Sequence, residues 1–215
     1  MAHMWISPFN SLIVGASQSG KSTFIKRFLS NLDEMIDVKI HEVIFCYGIA
    51  QKEHGELQSL VSCPVRLIEG LPDLDDISSL TSPPKVVILD DLISQLDGST
   101  VDLFLRGSHH RSLNLLCSTQ NLFSPNKHFR NISLNSHYIV LFASPREKSQ
   151  VQTFARQIEP RRVPYIMEAY HDATALPYSY MLFDLKQGTD QNLRYCSKIF
   201  PDEQTKYYVP KKRLV

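Results

Sequence analysis

Eight consecutive residues restrict this chain more than any other feature. Gly15-Ala16-Ser17-Gln18-Ser19-Gly20-Lys21-Ser22 fits G-x-x-x-x-G-K-[ST] at every fixed position. Average composition gives a chance match of roughly 1% at this length, so coincidence is the poorer explanation. The flanks agree. Ser11 to Val14 reads as a short apolar strand. Lys21 to Leu32 reads as a helix, with Phe24, Phe28 and Leu32 on one stripe and Ile25 and Leu29 beside it. Glycines at this spacing let the backbone curl so that its N–H groups face an anion. The helix N-terminus adds its dipole. The unit therefore predicts a phosphate cradle, with Lys21 on β- and γ-phosphates, Ser22 on Mg²⁺ and Thr23 near the α-phosphate.

The remainder alternates strands with helices, which predicts a mostly parallel sheet covered on both faces. Strands are expected over Glu42 to Tyr47, Val65 to Ile68, Lys85 to Leu89, Leu113 to Ser118 and Tyr138 to Ala143. Asp73 to Leu80 reads as a short helix ahead of Pro83-Pro84, and Ser99 as the N-cap of a helix carrying Val101, Phe104 and Leu105 inward. Ser144-Pro145-Arg146-Glu147 combines a capping box with proline at the first helical position. Val151, Phe154, Ala155 and Ile158 then form an inward stripe. Tyr180 to Leu185 and Leu193 to Phe200, split by Gln187-Gly188-Thr189-Asp190, read as a C-terminal β-hairpin. The expected division is 1–3 as an expression-vector remnant, 4–200 as one domain and 201–215 as a tail.

Composition excludes several classes. Lys+Arg is 23 against 22 Asp+Glu, which argues against a strongly basic nucleic-acid coat and against an acidic tail protein. At 43% hydrophobic and 21% charged the chain is ordinary globular material. No apolar run approaches a membrane span, so stable membrane insertion is not expected. Cys46, Cys63, Cys117 and Cys196 form no C-x-x-C pair and no secretory signal is evident, which suggests an intracellular, reducing setting.

Two further strand ends carry chemistry. Val86-Val87-Ile88-Leu89-Asp90-Asp91 is an apolar strand ending in two carboxylates. Asp90 is expected to hold Mg²⁺, directly or through water, and Asp91 to polarise an attacking water. Leu115-Leu116-Cys117-Ser118-Thr119-Gln120-Asn121 ends instead in amides, and its carboxyl end belongs beside the phosphate loop in a parallel sheet. Gln120 or Asn121 is then placed to sense the γ-phosphate. This order suits the P-loop branch with an additional strand between the phosphate-loop and acidic strands. Between the two strands, Arg106-Gly107-Ser108-His109-His110-Arg111 offers Arg106, then Arg111, as a finger reaching a neighbouring subunit's nucleotide. His109 and His110 have no partners at metal-site spacing.

Together these motifs resemble the DNA-packaging ATPases of double-stranded DNA viruses, within the wider FtsK and HerA clade. The resemblance is closest to the enzymes of Polinton (Maverick) elements and adintoviruses, akin to the poxvirus type. It is carried by Gly15 to Ser22, Val86 to Asp91, Arg106 to Arg111, Ser118 to Phe123, Asn131 to Tyr138 and Pro145 to Gln150. It spans about Ser11 to Phe200. It implies an ATP-hydrolysing oligomeric ring that drives double-stranded DNA into a capsid, docked on capsid or portal-vertex proteins in the host cytoplasm or nucleus. It assigns nucleotide and Mg²⁺ chemistry to Lys21, Ser22, Asp90 and Asp91, and makes Gln120 the sensor. Asp91 departs from the glutamate of many relatives. DNA contact falls to Ser124 to Arg130, with Lys127, His128 and Arg130, or to the hairpin turn near Gln187.

Other readings are weaker. Asn126-Lys127 is followed by His128 and Phe129, so the guanine-reading N-K-x-D pattern fails. A nucleotide kinase fits the paired carboxylates poorly. A nucleotide-dependent assembly scaffold without motor activity is separated from a motor by ATP turnover.

Overall fold

The computed structural model describes residues 3–50, 52–73, 77, 83–102, 104, 112–144, 146 and 148–211. The strands are β1 (Phe9–Val14), β2 (Glu42–Tyr47), β3 (Val65–Glu69), β4 (Lys85–Asp90) and β5 (Leu113–Thr119). They continue with β6 (Tyr138–Phe142), β7 (Tyr180–Asp184), β8 (Tyr195–Ser197) and β9 (Lys206–Tyr207). The helices are α1 (Lys21–Ser30), α2 (Leu32–Met35), α3 (Gly98–Asp102), α4 (Phe129–Leu134), α5 (Lys148–Ile158) and α6 (Val163–Ala173). The strands form one sheet in the order β3-β2-β4-β5-β1-β6-β7-β8-β9. The pairs from β3 through β6 are parallel, and β7, β8 and β9 join antiparallel.

Both faces of the sheet are covered, so its central strands are apolar without alternation. Side chains still alternate in direction. Phe9 and Ile13 of β1 pack on one face with Phe24, Phe28 and Leu29 of α1, and Val86 and Ile88 of β4 join them. Leu12 and Val14, with Val87 and Leu89, face the other way, toward Val151, Phe154 and Ala155 of α5 and Ile166 and Tyr170 of α6. The α1 face is rich in rings: Trp5 stacks on Tyr138 at 4.4 Å, and Phe24 meets Tyr180 edge-on at 4.9 Å. Burying such rings on both sides is the main force closing the sheet.

The structure refines several expectations. The helix expected to run to Leu32 ends at Ser30, because the Asn31 side chain donates to the Arg27 carbonyl at 2.7 Å and competes with the helical ladder. Asp97, not Ser99, caps α3: its Oδ1 accepts from Thr100 N at 2.9 Å and from the Ser99 and Thr100 hydroxyls at 2.7 and 2.8 Å. A carboxylate is the stronger acceptor, and these bonds lower the Asp97 carboxyl to about 2. The hairpin forms as β7 and β8. Lys206 and Tyr207, in the expected tail, add β9 to it. His3, expected to belong to the vector remnant, is buried, and its backbone N–H donates to Ile199 O at 3.1 Å. The helix expected over Asp73 to Leu80, the Arg106 to Arg111 turn, and Pro145 and Glu147 of the capping box lie wholly or mostly outside the described residues. All four cysteines are free. Among the described residues no helix is long and apolar enough to cross a membrane.

Candidate active site

The parallel strands point their carboxyl ends one way, and the site is built there. β1 ends at Val14 and turns at once into the loop, with Gly15 N donating to Thr119 O of β5 at 3.1 Å. A side chain at Gly15 has no room: its Cβ would lie 2.4 Å from Ser19 Oγ and 2.8 Å from Phe142 Cβ. The loop then curls through two left-handed residues, Gln18 (φ 63°) and Gly20 (φ 110°). Gly20 occupies the position before α1, and its carbonyl accepts from Phe24 N at 2.9 Å. Lys21 and Ser22 thus open α1, at its partially positive end.

Lys21 Nζ donates to the carbonyls of Gly15 at 2.6 Å and Ala16 at 3.1 Å, so the ammonium is folded over its own loop. Burial lowers its pKa, and the Asp91 and Asp90 carboxylates oppose that shift. Lysine and both carboxylates therefore share one electrostatic environment. Ser19 Oγ is buried in the cradle with no partner among the described residues. Ala16, Ser17 and Gln18 are exposed, as are Ser22 and Thr23.

Asp90 ends β4, and Asp91 follows with a left-handed backbone (φ 54°) that an aspartate tolerates better than most residues. Strand β5 lies between β4 and β1. The additional strand is therefore where the sequence order suggested. Its Ser118 ties the Asp90 carboxylate to the Asp91 backbone: Ser118 Oγ donates to Asp90 Oδ1 at 2.6 Å and accepts from Asp91 N at 3.0 Å. Gln120 Nε2 donates to Asp91 Oδ2 at 3.2 Å. Asn121, the other amide considered, bonds through its backbone to Thr119, and Gln120 is the amide whose side chain meets the Asp91 carboxylate. Ser22 and Asp90 line one small cavity with Phe45, His54 and Leu57. A hydroxyl and a carboxylate facing one space are hard oxygen donors of the kind Mg²⁺ takes.

The loop, Lys21, Ser22, Asp90, Asp91 and Gln120 thus converge on one end of the sheet. Arg106 and Arg111 lie outside the described residues. The two segments considered for DNA contact separate. The one from Ser124 to Arg130 follows β5 on the site's side, with Lys127 and Arg130 exposed, whereas Gln187 follows β7, whose Asp184 end pairs with Tyr138 at the far end of the sheet. Sequence reasoning assigned no role to Ser118. Its signal, a hydroxyl at the end of a strand next to an acidic strand, becomes readable only once the strand order is known.

The fold is that of P-loop NTPases with an additional strand, with a mostly parallel sheet and an antiparallel C-terminal wing. The chain matches no family model. It also has no match among curated proteins. Solved structures do match. The genome packaging NTPase B204 from Sulfolobus turreted icosahedral virus 2 in complex with AMPPCP has a TM-score of 0.57 at 18% identity, covering 94% of this chain and 98% of that one. Its ATP-gammaS complex has a TM-score of 0.54 at 19% identity, covering 94% and 97%. EssC (ATPases 2 and 3) from Geobacillus thermodenitrificans has a TM-score of 0.52 at 14% identity, over 82% of this chain and 37% of that one. At these identities the likeness is one of fold.

Proposed function

We propose that this chain is an ATP-hydrolysing motor that drives double-stranded DNA into a viral or virus-like capsid. The observation carrying this reading is the adjacent Asp90 and Asp91, the first held by Ser118 and the second by Gln120, set beside a complete phosphate loop. Such a pair suits hydrolysis, because one carboxylate serves the metal while the other takes the proton of water. Likeness of fold to a packaging NTPase along nearly its whole length supports the cellular role.

Lys21 and the loop N–H groups hold the β- and γ-phosphates, and Ser22 and Asp90 hold Mg²⁺. When bound, Mg²⁺ supplies neutralising charge to the phosphate oxygens. Asp91 orients and deprotonates the attacking water, and Gln120 fixes the Asp91 carboxylate and reports on the γ-phosphate. Arg106 or Arg111 of a neighbouring subunit completes the site in a ring. Exposed Lys127 and Arg130 contact the DNA backbone, a sequence-independent and salt-sensitive mode. The ring docks on capsid or portal-vertex proteins.

The test is Mg²⁺-dependent ATP turnover with and without non-specific duplex DNA. Stimulation by DNA, abolished by Lys21→Ala, supports the motor. Nucleotide binding without turnover at any protein concentration overturns it in favour of an assembly scaffold.

A further inference from the structure

We propose that Tyr178 is the platform on which the nucleobase stacks, an inference that rests on the nucleotide reading above. The topology sets the direction. Asp90, Asp91 and Gln120 stand at the ends of β4 and β5, on one side of β1, and mark the γ-phosphate end of the site. A nucleotide in the loop must therefore send its nucleoside the other way, toward β6 and β7. Tyr178 stands there, in the turn that feeds β7. It abuts the loop itself: a Cβ built on Gly20 would lie 3.3 Å from Tyr178 Cβ and 3.4 Å from its Cδ1.

The local chemistry is wrong for a purely structural turn. Leu176-Pro177-Tyr178-Ser179 closes with Ser179 N donating to Leu176 O at 3.2 Å. Proline at the second position and a positive φ at the third are the pattern of a type II turn, whose third residue is ordinarily Gly or Asn. Here it is a tyrosine at φ 62°, and the residue is 70% exposed. The chain thus holds a bulky residue in a strained conformation without burying it. Strain of this kind at a site edge points to a ligand. A flat aromatic face next to a phosphate cradle matches a nucleobase, since stacking needs only a π-face and exclusion of water.

The test is calorimetric titration of the full chain with Mg²⁺-ADP and, separately, with Mg²⁺-tripolyphosphate, which has no base. Tyr178→Gly is expected to weaken ADP about ten-fold, within the range of one stacking contact. It should leave tripolyphosphate unchanged and melt no lower than wild type, because glycine relieves the positive φ. Tyr178→Phe should keep ADP affinity within about two-fold, since the stacking face is retained. Unchanged ADP affinity in Tyr178→Gly overturns the proposal and leaves the ring to a subunit contact. A parallel loss of ADP and tripolyphosphate overturns it too, as loop damage. If wild type binds neither ligand, the phosphate site itself fails, and the platform with it.

Discussion

The phosphate-loop site and the antiparallel wing treat polar groups in opposite ways. In the antiparallel wing they close on one another. Tyr208 O–H donates to Asp172 at 2.7 Å, Tyr165 O–H donates to Tyr208 O at 2.6 Å, and Arg27 reaches Asp202 at 2.6 Å while lying 4.2 Å over the Phe200 ring. At the phosphate loop they are held in reserve. Lys21 rests on its own loop's carbonyls, Ser19 Oγ is buried without a partner among the described residues, and Gln120 and Asp91 meet at the exposed rim. Backbone strain follows the same division. Gln18, Gly20, Asp91 and Tyr178 surround the site at positive φ, while among the described wing residues from Tyr180 onward only Lys198 has one. The wing spends its polar groups on stability, and the site keeps them for a ligand.

Substitutions at the site should therefore remove turnover without removing the fold. Asp91→Asn keeps the shape and the Ser118 contact to its backbone N–H. It is expected to lower kcat about 10²- to 10⁴-fold, the usual worth of a positioned base, with melting temperature and ADP affinity near wild type. Stopped turnover together with a large fall in melting temperature would break the comparison. Ser118→Ala comes next. It removes the hydroxyl that holds the Asp90 carboxylate and the Asp91 backbone N–H, so kcat should fall about 10- to 100-fold with little change in KM, as for other groups that orient metal-binding carboxylates. Ser118→Thr, which keeps the hydroxyl, should recover most of the loss, a result that a mere packing role would not produce.

The wing should answer in the opposite sense. Tyr165→Phe leaves the Tyr208 carbonyl without its hydroxyl donor. A net contribution of about 1 kcal/mol is expected, read as a fall of ~2–4 °C in melting temperature. ATP turnover at a temperature where both proteins are folded should be unchanged. A loss of turnover there would mean that the wing is coupled to the site.

How much of this division was legible follows from how local each signal is. The phosphate loop and the Val86 to Asp91 strand are contiguous, so pattern and polarity reveal them directly, and the additional strand follows from the order of their ends. Pairings between strands are not contiguous. That Ser118 falls against Asp90 depends on β5 lying beside β4 in one register, with Leu89 opposite Cys117. Tyr178 hides for another reason: Leu176-Pro177-Tyr178-Ser179 lacks the glycine that would mark its turn. β9 is two exposed residues with no apolar pattern, and only its partner β8 defines it. Asp97 outcompeted Ser99 as a cap because both residue types serve and only geometry chooses between them.

The smallest expected effect lies in the wing and depends on pH. The Asp172 carboxyl is held below its ordinary value by hydrogen bonds from the Lys206 ammonium and the Tyr208 hydroxyl. A carboxyl lowered in the folded state stabilises that state above its unfolded value, about 3.9, and loses the contribution as pH falls through the folded value. Both Asp172 and Lys206 are about half exposed, so the contribution at pH 7 should be under about 1 kcal/mol. Asp172→Asn should then melt a degree or two below wild type at pH 7, and the two melting curves should converge in acid, as pH falls through the folded value. The gap should also narrow in 1 M salt, where the Debye length shrinks to about 3 Å. A gap that persists in acid and in salt would mean that the Tyr208 hydroxyl bond, not charge, ties β9 to α6. ATP turnover should be the same in both proteins at neutral pH, because no part of this cluster reaches the loop whose polar groups are kept for the nucleotide.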